Sequence, residues 1–288
     1  MVENMKLSNP TAEIYVPDEM PLPGAVSRTT HMGIGAHQDD LEIMAFHGIL
    51  ACYGLSDRWF TGVTCTNGAG SPRAGVYAAC TDEMMQQIRK REQRQAAAVG
   101  QYAAMFQLDY ASAVAKDPHS TLLTDDLAAL LEAARPEVVY THNLADKHDT
   151  HVAVAVAALR AMRRLPAADR PRRVYGGEVW RGLDWLPDSD KAALDVSARE
   201  NLASALTGLF DSQIAGGKRY DLATLGRRRA NATYAESHGV DEAEQLTFAM
   251  DLTPLVQDDT LDLVEYVVQF VRKFEADVRK RLAARLAV

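Results

Sequence analysis

Short apolar runs alternate with helical stretches from His31 onward, and this alternation constrains the fold more than any other feature. The run at 32–36 ends in a polar turn, and an amphipathic stretch follows it over about 41–55. Further strands are predicted at 59–66, 106–112, 137–141 and 173–180. Helices between successive strands are typical of βα units, so we predict an α/β fold with a Rossmann-like, mostly parallel sheet flanked by helices.

Helix-start residues divide the middle of the chain. Thr81 precedes a predicted helix that runs to about residue 104, and further helices are predicted at 124–134 and 150–164. The alternation becomes less regular after about Arg181. There the pattern predicts helices at 198–210, 221–237 and 261–286 and a strand at 245–252.

The prolines define a separate N-terminal segment. Pro10, Pro17, Pro21 and Pro23 lie in a stretch without periodicity, so residues 1–30 are predicted to form an extended arm that crosses the body or reaches a neighbouring subunit. Residues 31–288 are predicted to form one domain, whose part after residue 181 is less certain.

The final predicted helix has an apolar stripe. We expect the stripe to pack on the sheet, and its alternative role is a subunit contact, which leaves a homo-oligomer possible. Its residues recur every three, four or seven positions: Leu261, Val264, Val268, Val271, Val278, Leu282 and Leu286.

Composition excludes several classes of protein. With 47% apolar and 24% charged residues, the chain is globular rather than disordered. The formal charge of −8 and the interleaved basic residues argue against nucleic acid as a partner. The longest apolar run, 152–159, is too short to cross a membrane. Three cysteines without a CxxC pair and a start without signal-peptide features predict a cytoplasmic location.

Two polar clusters follow strands that are predicted to be central. The first is AHQDDLE at 36–42, and the second spans 142–151 with the sequence HNLADKHDTH. Ligands of open parallel sheets bind beyond the carboxyl ends of the strands, so these clusters are expected to converge although more than 100 residues separate them.

The convergent side chains suit a divalent metal ion, and zinc is the first expectation. The crevice would gather His37, Asp39, Asp40, His148 and His151. Two imidazoles and one carboxylate make a three-ligand site with room for water, and either or both of His148 and His151 could reach the ion. The remaining acid would accept a proton from that water, and a remaining histidine would face an oxyanion, which is a hydrolytic arrangement. The alternative for each cluster alone is helix capping or solvation.

Three other functions compete with hydrolysis. Gly33 and Gly35 suggest dinucleotide binding, but Gln38 occupies the third glycine position of that fingerprint. His37 and Asp39 with a distant histidine could form the triad of a non-haem Fe(II) oxygenase. The oxygenases with this motif are double-stranded β-helices, whereas this chain alternates strands with helices. The third alternative is a non-catalytic, metal-stabilised binding module.

The motifs AHQDDLE and HDTH resemble A-H-P-D-D-x-E and H-P-D-H, the signatures of the LmbE-like, or PIG-L, N-acetylglucosamine deacetylases. The similarity covers roughly residues 31–164 and includes an R-x-x-E at Arg89 and Glu92. It implies a zinc-dependent hydrolase that removes an N-acyl group, most simply N-acetyl, from an amino sugar or related small molecule.

Residue roles also follow from the resemblance. It implies that His37, Asp40 and His151 ligate zinc and that Asp39 is the general base. It implies further that His148 acts on the oxyanion side or as general acid, and that Arg89 points at the substrate.

Two departures from the motifs accompany these roles. Gln38 replaces a proline, and Asp149-Thr150 replaces Pro-Asp, so we expect Asp146 or Asp149 to orient His148 instead. From its place at the end of a strand, His142 is assigned to pocket lining, with backbone hydrogen bonding in the turn as the alternative.

Overall fold

The computed structural model describes residues 7–286 and contains one eight-stranded mixed sheet with helices on both faces. Its strands lie in the spatial order β1-β4-β3-β2-β5-β6-β8-β7. They are β1 (Glu13–Tyr15), β2 (His31–Gly35), β3 (Phe60–Thr66), β4 (Ala104–Tyr110), β5 (Val138–His142), β6 (Arg173–Gly177), β7 (Lys191–Asp195) and β8 (Leu246–Asp251).

Five strands form the parallel centre of the sheet: β4, β3, β2, β5 and β6. At one edge β1 pairs antiparallel with β4. On the other side β8 pairs antiparallel with β6, and the edge strand β7 pairs antiparallel with β8. β3 is buried along its whole length, as expected for a strand covered on both faces. The predicted mostly parallel α/β fold is therefore confirmed.

Helices cover both faces of this sheet and enclose two hydrophobic clusters. One cluster includes Leu131 and Met162, and the other includes Leu41, Phe46 and Leu206. The helices are α1 (Leu22–Ser27), α2 (Asp40–Met44), α3 (Phe46–Cys52), α4 (Asp82–Val99), α5 (Ser112–Lys116), α6 (Leu122–Ala134), α7 (Asp149–Arg164), α8 (Glu200–Gly208), α9 (Asp211–Ile214), α10 (Tyr220–Thr233), α11 (Thr253–Gln257) and α12 (Leu263–Leu286).

The helix predicted over 41–55 is interrupted at Ala45, where α2 ends and α3 begins. The Nη2 atom of Arg228 donates hydrogen bonds to the backbone carbonyls of Glu42 and Ile43, at 2.8 and 3.0 Å. A continuous helix would need these carbonyls for its own ladder. A guanidinium from α10, 186 positions away along the chain, therefore occupies the end of α2.

The two ends of the chain differ from the sequence prediction. Within residues 7–30, β1 joins the sheet and α1 is helical, so this part is not simply an extended arm; residues 1–6 lie outside the described residues. The expectation that the stripe of α12 packs on the sheet is wrong. Only Phe270 of this helix is buried, and its first turns pack against the core through other residues, Leu263, Tyr266 and Val267. Val264 and Leu282 of the stripe are exposed.

Within residues 7–286, no helix combines the length and the apolar character needed to span a bilayer.

Candidate functional site

The site lies where the direction of strand succession reverses. β2 pairs with β3 on one side and β5 on the other, and all three strands are parallel. The loops that leave β2 and β5 therefore open side by side at the carboxyl edge of the sheet, which is the usual ligand position in open α/β folds. The two polar clusters of the sequence occupy these loops and meet there.

Three side chains predicted to bind metal converge at this edge. His37 Nδ1 lies 3.2 Å from His151 Nε2 and 3.3 Å from Asp40 Oδ2. His151 Nε2 lies 3.5 Å from Asp40 Oδ1. Each of the three side chains thus lies within 3.5 Å of the other two, with Asp40 presenting Oδ2 to His37 and Oδ1 to His151, although 114 positions separate His37 from His151 along the chain.

These separations suit a single divalent cation. Ligands placed about 2.0–2.1 Å from a tetrahedral ion lie about 3.3–3.4 Å from one another, which is close to the observed spacing. Burial alone would raise the pKa of Asp40, but His151 and His142 hold it well below its ordinary value. Burial lowers the pKa of His151, but Asp40 and Asp146 outweigh that effect and raise it. The pocket between these side chains thus favours positive charge, whether a proton or a metal ion.

Asp146 contacts His151 on the side of the ring that faces away from the cation position, whereas the sequence predicted a contact with the His148 ring. Its Oδ2 lies 3.4 Å from His151 Nδ1, so it directs His151 Nε2 towards the cation position. The same carboxylate accepts hydrogen bonds from the backbone amides of His148 at 3.1 Å and Trp180 at 3.2 Å. Asp146 was expected to orient the ring of His148. The His148 ring instead has no partner at Nδ1 among the described residues.

His142 requires a correction, because it does not line the cleft. Its side chain is fully buried behind Asp40, and its Nε2 accepts a hydrogen bond of 2.9 Å from the backbone amide of Ala36. Burial, followed by the charge on His151, lowers the pKa of His142 to about 4, so the ring is neutral with its proton on Nδ1. Among the described residues, two groups bring one donor atom of each member within 4.8 Å of the others: His37, His148 and His151, and Asp40, His142 and His151. The engaged Nε2 of His142 makes the second group less suitable as it stands. The set His37, Asp40 and His151 combines members of both groups.

Asp39 stands beside the cation position in a strained backbone conformation. Its φ of 93° is unusual for a residue with a side chain. Burial raises the pKa of Asp39 to about 7, against the opposing influence of Arg89. A carboxylate tuned in this direction is suited to accept a proton near neutral pH.

Helix α4 fixes the turn that carries Asp39. Gln93 accepts a hydrogen bond of 3.2 Å from the backbone amide of Asp39 and donates one of 2.9 Å to Glu42. Arg89 donates to the backbone carbonyl of Gln38, and its Nη2 lies 3.3 Å from Asp39 Oδ2. Arg89, which the sequence predicted to point at the substrate, thus lines the cleft and also holds the candidate base Asp39 in place.

Gln38 explains how the turn keeps its shape without proline. Its side chain is fully buried and donates a 3.1 Å hydrogen bond to the backbone carbonyl of Thr66 at the end of β3. Gly68 lies next to it with a φ of 71°, and a Cβ there would be only 2.7 Å from Gln38 Oε1. The glycine-rich loop after β3 therefore fits closely against this turn.

The cleft above these residues has a volume of about 480 Å³, within the range of pockets for small organic ligands. His37, Asp39, Asp40, Arg89 and His148 line its floor and walls. The His148 ring stacks on that of His151, with centroids 4.5 Å apart. Burial, together with the charges of His151 and His37, lowers the pKa of His148.

Sequence reasoning missed most of the outer wall of the cleft. Lys116, Trp180, Lys218 and Tyr220 line it. The last three lie after β6, where the sequence has no recognisable motif. An aromatic residue beside Gly and Pro signals, as at Trp180, was the only available hint. The Gly68–Pro72 loop also lines the cleft.

Fold and site together define an α/β protein with a candidate divalent-metal centre at the switch point of its sheet. Residues 32–162 match the model of the PIG-L family, described as GlcNAc-PI de-N-acetylase. The chain therefore contains a PIG-L, or LmbE-like, domain over these residues. No curated relative matches the chain by sequence.

Three solved structures illustrate the likeness of fold. GalB, the 4-carboxy-2-hydroxymuconate hydratase of Pseudomonas putida KT2440, is 16% identical, with a TM-score of 0.60 over 78% of this chain and 95% of GalB. The N,N'-diacetylchitobiose deacetylase of Pyrococcus horikoshii is 17% identical, with a TM-score of 0.57 over 78% of this chain and 85% of that one. The zinc-inhibited form of teicoplanin deacetylase Orf2 is 15% identical, with a TM-score of 0.55 over 76% and 97%. At these identities, the likeness concerns the fold.

Proposed function

We propose that the protein is a zinc-dependent hydrolase that removes an N-acetyl group from an amino sugar or a related small molecule. The observation that carries this proposal is the approach of the His37, Asp40 and His151 side chains to within 3.5 Å of one another, with Asp39 lining the same cleft. Three protein ligands with an open fourth position are typical of catalytic rather than structural zinc sites.

Family membership supports this reaction over the alternatives. The PIG-L domain and the deacetylases among the structural neighbours support a hydrolytic N-deacetylase, which acts on a C–N bond. The oxygenase interpretation is disfavoured because the sheet is mostly parallel and covered by helices, not a double-stranded β-helix. Asp39 lines the cleft beside the candidate metal ligands without being one of them, which favours turnover over a binding module.

His37, Asp40 and His151 would hold the ion, and Asp146 would orient His151 towards it. A divalent cation bound there would polarise an acyl oxygen and acidify water. Asp39 then takes the proton as the water oxygen bonds to the acyl carbon. The His148 ring, at the cleft surface, donates a hydrogen bond to the oxygen that becomes negatively charged.

Protonation of the leaving amine completes the reaction. The C–N bond breaks as the amine nitrogen gains a proton from Asp39 or His148, and the products are acetate and a free amine. Arg89 keeps Asp39 in place through the 3.3 Å contact and lines the same cleft. The aromatic ring of Trp180 offers an apolar surface for a sugar ring.

The test is release of free amine from a panel of N-acetylated sugars by the zinc-loaded protein, with Asp39→Asn as the inactive variant. Asp109→Asn is a matched control, because Asp109 also has a positive φ, of 61°, but is ion-paired to Lys90 away from the cleft. We expect amine release by the parent and by Asp109→Asn, and a loss of at least about a hundredfold in Asp39→Asn.

No amine from any member of the panel, with one zinc bound per chain, would contradict the proposed reaction. Hydration of a carbon–carbon double bond under the same conditions would point instead to the reaction named for GalB.

A further inference from the structure

Beyond the metal site, two lysines face the cleft from opposite sides. Lys116 ends α5, which follows β4, whereas Lys218 precedes α10 and lies beside Trp180, which follows β6. In the sheet, β4 and β6 lie on opposite sides of β2 and β5. The two ammonium groups therefore border the site from its two flanks.

Neither lysine is neutralised by the protein. Among the seven lysines of residues 7–286, Lys90, Lys191 and Lys273 form ion pairs with carboxylates, and the other four do not: Lys116, Lys147, Lys218 and Lys280. Of these four, Lys116 and Lys218 line the cleft. The position of Lys218 is defined by the ring of Trp180, whose centroid lies 5.0 Å from its Nζ. A cation–π contact positions an ammonium group without cancelling its charge.

The acidic groups of the cleft are committed elsewhere. Two carboxylates line it: Asp39 is the candidate base, and Asp40 is a candidate metal ligand. Arg89 also lines the cleft, but its charge is balanced by Asp39 at 3.3 Å and Glu92 at 4.0 Å, so the unpaired cations there are Lys116 and Lys218. The outer cleft is thus cationic in a protein with a formal charge of −8.

We propose that the substrate carries an anionic group, a carboxylate or a phosphate, and that Lys218 and Lys116 are specificity-determining residues that bind it. The ring of Trp180 holds Lys218 beside the apolar part of the ligand. This inference rests on the proposed function, because it names the substrate class of the same site.

The negative net charge of the protein makes the two cleft lysines important for anion binding. A chain with a charge of −8 repels anions at long range, so an anionic ligand is retained only where local cations outweigh that field. Lys218 is half-buried beside Trp180, so its charge is screened less by salt than that of an exposed lysine, whereas Lys116 is exposed at the rim. We therefore expect a ligand with an anionic group to bind about tenfold more tightly than the same sugar without that group, which corresponds to about 1.4 kcal/mol.

The experiment compares three amine products by isothermal titration calorimetry on the zinc-loaded protein: glucosamine, glucosamine 6-phosphate and muramic acid. All three carry the amino group, and only the last two also carry an anionic group. The ratio of the Kd of glucosamine to that of either anion-bearing product is expected near ten in the parent and to fall towards one in Lys218→Gln and in the double variant with Lys116→Gln. Lys280→Gln is the matched control, since Lys280 is exposed on α12, and it is expected to keep the parent ratio. The arms with phosphate and carboxylate identify which anion is preferred.

Equal Kd values for glucosamine and the two anion-bearing products in the parent would overturn the inference. A tenfold ratio that survives in the double variant would also overturn it, because the preference would then arise elsewhere. Failure of the proposed function gives a different result: no amine is released from any N-acetylated substrate, whatever the binding ratio. Release of amine without an anionic preference would leave the deacetylase and remove only this inference.

Discussion

Replacing Asp146 with asparagine tests how the candidate metal set (His37, Asp40 and His151) is held in place. Asp146 contacts this set only at His151 Nδ1, the ring nitrogen that faces away from the cation position. The Asp146 side chain is fully buried and accepts contacts from the His148 amide, the Trp180 amide and His151 Nδ1, at 3.1, 3.2 and 3.4 Å. Asparagine keeps one acceptor oxygen and no charge. Turned towards His151, its oxygen leaves an amino group facing the His148 amide; turned the other way, it leaves one facing His151.

Either orientation weakens the alignment of His151 Nε2 without removing a ligand. Loss of such an outer partner costs about 10–100-fold in metal affinity, or about 1.4–2.8 kcal/mol. We expect Asp146→Asn to show this loss in a zinc competition titration against a chromogenic chelator. At saturating zinc, we expect turnover to remain within a few-fold of the parent, since Asp146 does not line the cleft.

Asp126→Asn is the matched control. Asp126 is likewise buried and accepts hydrogen bonds from Ser8 and Tyr110, but it lies outside the metal set. We expect it to lower the melting temperature and to leave zinc affinity unchanged. A folded Asp146→Asn protein with the parent's zinc affinity would refute the role assigned to Asp146.

Three further variants separate binding, chemistry and positioning. His151→Ala is expected to lose zinc altogether, and full occupancy by elemental analysis would reassign the ligand. Arg89→Ala is expected to bind zinc normally but to lower kcat/KM, because Asp39 loses its 3.3 Å partner; an unchanged value would place the substrate elsewhere. Arg228→Met removes both hydrogen bonds to the end of α2, so we expect a loss of about 2 kcal/mol in the free energy of unfolding, measured by urea denaturation, and an unchanged midpoint would contradict it.

The parallel core could be predicted because its signals are local. Apolar runs gave the strands from β2 to β6 to within a few residues, and the N-cap role expected of Thr81 is seen, with its side chain accepting from the amide of Met84. The two polar turns lie at one edge because parallel strands share their direction. These features need only the period of the pattern and the rule for ligand position.

Long-range contacts explain what the sequence did not reveal. At the break at Ala45, Arg228 donates hydrogen bonds to the end of α2, and no local signal in the sequence marks this contact. Short strands such as β7 complete the sheet by pairing with β8, not by a pattern of their own. The exposed stripe of α12 shows that amphipathic spacing predicts a helix but not which surface covers it.

The candidate site shows the same division. The clusters identified the residues that converge, but which of them a partner engages depends on geometry. Asp146 supports His151 and not the His148 ring, and the lone pair of His142 is used by the Ala36 amide. Spacing along the chain cannot distinguish a ligand from the residue behind it.

Anomalous diffraction at the zinc edge, from crystals of the zinc-loaded protein, tests the shared cation most directly. We expect a single peak about 2.0–2.2 Å from His37 Nδ1, His151 Nε2 and one carboxylate oxygen of Asp40. A peak bound to His148 in place of Asp40, or no peak within reach of both His37 and His151, would contradict the site described here.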